Sequence, residues 1–189
     1  MLPPVPKFDR DKFLDVVHYI CSRCEPEELG NVKLHKILYF ADMMAFLDDF
    51  TPLTGAEYQK QKFGPVAKHL SWAISDLCKS GRISATKRSY FGFTKTDYIS
   101  LLPPTSNRLS ERDLNILNDM IDFVCARSAR EISELSHNAA WHAARLGETI
   151  PYASALGLVP IFVSDQDIAA AMAEAKRIRP MIDAERQAR

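Results

Sequence analysis

The chain has 189 residues, 47% of them hydrophobic, which is enough to bury a sizeable core as one domain. Lys and Arg together number 24, as do Asp and Glu, so the formal net charge is zero and nothing draws the whole molecule toward nucleic acid or an anionic membrane. No apolar run approaches the ~20 residues of a membrane span, and MLPPVPKFDRDKF, with its prolines and no continuous apolar core, does not read as a secretory signal.

Apolar residues spaced i, i+3, i+4 predict a first helix over about Asp11–Cys24, with Phe13, Val16, Val17, Ile20, Cys21 and Cys24 inward and Asp9 as its cap. EPEELG breaks it. A second helix is expected from about Val32 to Asp48. Its Leu34, Ile37, Leu38, Ala41 and Met44 face is widened by Tyr39, Phe40, Met43, Phe46 and Leu47, so it reads as central and buried. TPLTG is a turn by composition, and 57–63 is a short strand leading to Gly64. In KFGPVAKHL the proline has no N–H to offer an anion and there is a single glycine, so a phosphate loop is excluded. Pro65 instead reads as the first residue of a helix that carries Val66, Leu70, Ala73, Ile74 and Leu77 inward and stops at Gly81, with Gly64 as its entry turn.

Residues 82–102, rich in Thr, Tyr, Phe and Ile with Gly92 in the middle, read as a β-hairpin. Ser110 with Asp113, and Ser128 with Glu131, have capping-box spacing and start two further helices. The stretch around Trp141 holds another short helix before an extended Ile150-Pro151-Tyr152. Ser164 and Asp167 cap a last helix over 166–178. The expected fold is mostly α with a small β element (α+β), a compact helical domain over 1–160. A C-terminal helix and charged tail, 161–189, pack on the same domain.

Candidate chemistry is sparse. Cys21-Ser-Arg-Cys24 is a CxxC, but Cys78 and Cys125 stand apart, so no second zinc-ligand pair exists and core packing of reduced thiols is the expectation. His137 and His142, five apart, lie about 140° from each other on a helix and do not form a ligand pair on one face. His137 is expected to cap or orient the turn before Trp141. Asp42, in a buried helix, requires a partner, expected to be Lys33, Lys36 or a helix-end N–H. Lys87, Arg88 and Lys95 flank Tyr90, Phe91 and Phe93. This set is a partner-binding tip, the wing of a winged-helix DNA-binding regulator, or a solvated hairpin whose aromatics only cover the core, and zero net charge favours the last over the wing. Neither catalytic residues, cofactor nor metal are expected.

Three segments taken together resemble the Panacea domain family of SocA-like antitoxins, which also includes GepA-like phage-associated proteins. The first is Lys33, Leu34, Lys36, Ile37, Leu38, Tyr39 and Phe40; the second is Phe63, Gly64, Pro65 and Val66. The third is Leu135, Ser136, His137 and Trp141, followed by Ile150, Pro151 and Tyr152. The resemblance covers roughly residues 10–155. It departs from the family pattern at Ala140, where proline is usual before the tryptophan, and in a longer 82–102 insertion and C-terminal tail. It implies a cytoplasmic, non-enzymatic antitoxin that neutralises a toxin encoded nearby by direct contact, or hands it as an adaptor to a AAA+ protease. The motif residues are then mainly structural, and the 82–102 hairpin is the candidate contact for a toxin or for a second copy of the chain.

Overall fold

A computed structural model describes residues 7–90, 92–105 and 107–158, with positions 169, 172, 173, 176, 177, 179 and 180; Tyr90 and Phe93 are described by backbone alone. Met1–Leu158 is one compact unit and Val159–Arg189 another. In the second unit the described positions are helical. The rest of the expected 166–178 helix, its caps Ser164 and Asp167, and its packing lie outside the described residues.

The first unit is mostly α with small antiparallel sheets, the α+β arrangement expected. Helix α1 (Arg10–Arg23) starts where the Asp9 carboxylate accepts from Lys12 N. Helix α2 (Asn31–Asp49) runs through the centre, and its buried residues include Leu34, Ile37, Leu38, Tyr39, Phe40 and Met43. Burial on nearly every side explains why its sequence shows so little polar stripe. Helix α4 (Glu111–Cys125) packs along α2, buries Leu117, Ile121 and Val124, and opens with the Ser110–Asp113 capping box. Helix α5 (Ala129–Leu135) opens with the Ser128–Glu131 box.

Gly64-Pro65 does not start a helix. Strand β1 (Tyr58–Gln61) turns through Lys62 and Phe63 into β2 (Gly64–Ala67), and helix α3 (Leu70–Lys79) begins only after His69. The pair does pack on α2, but as an edge strand: the sheet order is β2-β1-β5, with β5 being Thr149–Ile150. Proline is tolerated at such an edge, where its missing donor breaks no ladder bond. The 82–102 segment is the hairpin expected, β3 (Ile83–Tyr90) and β4 (Phe93–Ser100), with Gly92 at φ 80° in its tip. A short helix α6 (Ala139–Ala143) and a 3-10 turn (Tyr152–Leu158) complete the unit.

Candidate functional site

The sequence motifs, far apart in the chain, meet beside Gly64. Its φ of 95° is open to glycine alone, and a Cβ there would overlap the Ser136 hydroxyl and the Lys36 ammonium. Lys36 projects from α2, is 1% exposed, and donates to the Pro65 carbonyl oxygen at 2.9 Å. Burial brings its pKa down to about 7. The neighbouring His35 accepts from Ala67 N through Nδ1, at 3.1 Å, and burial, then the Lys36 charge, hold it at about 4. Two successive α2 residues therefore fasten β2, one through a donor and one through an acceptor.

Ser136 is fully buried and donates to the Ser133 carbonyl at 2.6 Å, so its proton is committed to the backbone rather than to a base at His137. His137 lies flat on Trp141, with ring centroids 3.7 Å apart, and Lys60 sits over the Trp141 ring at 4.2 Å while donating to the Ala144 carbonyl. Burial, then the Lys36 charge, lower the His137 pKa, favouring a neutral ring. The cap expected from His137 comes instead from Asn138, whose side-chain oxygen accepts from Trp141 N at 2.9 Å. Asn138 also donates to the Tyr39 hydroxyl, tying the third motif to α2. His137 Nε2 and Trp141 Nε1 are buried without a hydrogen-bond partner among the described residues.

Leu34, Leu38 and Tyr39 are core, and Lys33 donates to the Cys125 carbonyl. Val66 and Trp141 are half-buried, whereas Phe63 is 60% exposed and Pro151 is also at the surface. The structural role expected of Phe63 is therefore corrected: it occupies the β1–β2 turn, where its ring has no core to enter. Tyr152 donates to the Ala56 carbonyl at 2.7 Å. Asp42 finds none of the partners expected. It accepts from Thr54 N, Thr54 Oγ1 and Tyr58 OH, each at 2.6 Å, and burial still raises its pKa against these bonds. The only sequence signal for this network was a carboxylate in an otherwise apolar helix.

On the hairpin, Lys87 and Arg88 are exposed, Arg88 pairs with Asp97 across the strands, and Lys95 pairs with the same carboxylate. Lys95 also donates to the Pro26 and Glu27 carbonyls, and Tyr98 OH donates to Asn31 Oδ1, so β4 is pinned to the loop after α1 and to the first residue of α2. The Tyr90 and Phe93 side chains and all of Phe91 lie outside the described residues. Ile99, Leu101 and Leu102, at the far end of β4 and just beyond it, are apolar and exposed. Cys21 and Cys24 are buried, and Cys24 faces Cys125 rather than a metal site.

A family model described as antitoxin SocA-like, Panacea domain, matches residues 34–142, more than half of the chain. The chain belongs to this family. The match takes in the Lys36, Gly64 and Trp141 segments of the Panacea domain and the whole β3–β4 hairpin, while Ile150-Pro151-Tyr152 lies beyond it. No curated protein and no solved structure matches the chain. No helix among the described residues is long and apolar enough to cross a membrane.

Proposed function

We propose that this Panacea domain neutralises a toxin encoded beside it by direct protein–protein binding, without catalysis, and that the β3–β4 hairpin is the contact. The family match carries the reading. Two features of the hairpin support its part in it. Among the described residues the two strands pair only with each other, so each has a backbone edge that no other described strand pairs with, of the kind a partner strand can extend. Beside them stand three exposed apolar residues close together in sequence, Ile99, Leu101 and Leu102.

The DNA-binding alternative is less well served by the same hairpin. Arg88 and Lys95 share the Asp97 carboxylate, and Lys95 is further tied to two backbone carbonyls, so neither ammonium nor guanidinium stands ready for phosphate. Delivery of the toxin to a AAA+ protease would use the same contact and then require the protease for neutralisation.

The test is growth. A neighbouring gene whose product arrests growth alone, and is harmless when expressed with this chain, is the expected result. A set of neighbours none of which arrests growth would overturn the reading. Rescue that persists in cells lacking their AAA+ proteases assigns neutralisation to binding alone, and rescue that disappears there assigns it to delivery.

A further inference from the structure

Two cysteines from distant parts of the sequence meet at the ends of two helices. Cys24 is the residue that ends α1 and Cys125 is the last residue of α4, and their sulfurs are 3.8 Å apart. Both are free thiols. A disulfide needs about 2.05 Å between sulfurs. The remaining approach is of a size that side-chain rotation and a small shift of a helix end can supply, because terminal turns are held by fewer backbone bonds than helix interiors.

The two thiols are also unlike each other in the way a reactive pair needs. Cys125 is half-buried, whereas Cys24 is 7% exposed, so an oxidant from solvent meets Cys125 first. The hydrogen bond with Cys24 lowers the Cys125 pKa, burial opposes that, and the Lys33 ammonium, which donates to the Cys125 carbonyl at 3.2 Å, lowers it further. The same hydrogen bond and burial raise the Cys24 thiol. Cys21, by contrast, is 2% exposed and pushed up to about 12 by burial, the profile of an inert core thiol.

We propose that Cys24 and Cys125 are a site of reversible oxidative modification, closing as an intramolecular disulfide in the presence of hydrogen peroxide. The Cys125 thiolate attacks one peroxide oxygen, the O–O bond breaks, and the departing hydroxide takes up a proton as water. This leaves a sulfenic acid on Cys125. The Cys24 sulfur then attacks the Cys125 sulfur, the S–O bond breaks, and the hydroxyl leaves as water with the Cys24 proton. Two thiols and one peroxide thus give one disulfide and two waters; the sulfurs are oxidised and the peroxide oxygens reduced. A dithiol reductant reverses the bridge by exchange. The bridge joins the end of α1 to the end of α4 and encloses α2 and both hairpins in one covalent loop. The inference is independent of the toxin-binding reading.

The experiment treats the full chain with hydrogen peroxide, blocks remaining thiols with an alkylating agent, and reads intact mass and a proteolytic peptide map. The expected product has lost two hydrogens, carries a Cys24–Cys125 cross-linked peptide, keeps two alkylatable cysteines of the four, and melts at a higher temperature until dithiothreitol is added. Cys125→Ser should abolish the cross-link. Because the wild-type map decides the pairing, the proposal stays testable even if that variant folds poorly. A Cys21–Cys78 bridge, a disulfide-linked dimer, a sulfinic acid on Cys125 with Cys24 still alkylatable, or four unreacted thiols would each overturn it.

Discussion

Lys36 shows what a single buried cation contributes and when. It is charged in solution up to about pH 10.5 but held near 7 in the fold by burial. Below pH 7 both states carry the proton and the cost of burying the charge is felt in full. From pH 7 upward the folded state releases a proton that the unfolded state keeps, so this group's contribution to stability rises with pH until the unfolded lysine titrates. Replacing Lys36 by Met should therefore change the stability difference between wild type and variant by about 2 kcal/mol in favour of wild type between pH 7 and pH 9. Urea midpoints measured at the two pH values check the sign, and a difference that does not move would mean the ammonium is solvated. Gly64→Ala is the steric counterpart. Its φ of 95° and the overlap of a Cβ with Ser136 and Lys36 should cost about 2–4 kcal/mol, read as a lowered melting temperature.

Elements whose determinants are local were legible in the sequence; those with remote determinants were not. The two capping boxes, the Asp9 cap and the turn at Gly92 each involve residues within a few positions of one another, and the structure has them as read. The Gly64-Pro65 stretch failed because proline suits a helix start and an edge strand equally well. What decides is remote: Lys36 reaching Pro65, His35 reaching Ala67, and β1 pairing on one side with β2 and on the other with β5. The same holds for Asp42, whose partners Thr54 and Tyr58 arrive from beyond the end of its helix. At the candidate contact, the hairpin itself could be read from Thr, Tyr, Phe and Ile content, but the attachment of Lys95 to the loop at Pro26 and Glu27 could not. Lys95→Ala should release that attachment. Amide exchange along β4 should quicken several-fold while α2 keeps its protection, and equal loss of protection in both would contradict a local role.

Within the unit Met1–Leu158, the arrangement joins an interior held by the motif residues to a two-stranded ribbon whose base, at Ile83 and Tyr98, is packed on it. Three sequence motifs are spent on holding α2, the β1–β2 hairpin and the segment from Ser136 to Trp141 together through Lys36, Gly64 and Asn138. None of these interactions needs a ligand to explain it. The β3–β4 hairpin pairs with no other strand among the described residues and has exposed apolar residues at its base, the grounds on which it is proposed as the contact. The most direct measurement is a calorimetric titration of the purified product of the toxic neighbouring gene into the purified full chain. Saturable binding is predicted, and it should weaken at least tenfold, or about 1.4 kcal/mol, in the double variant Leu101→Ser, Leu102→Ser, whose side chains are exposed, with its melting temperature unchanged. Neutralisation of the toxin in cells with no binding in the calorimeter, or undiminished binding by the folded double variant, would contradict the account.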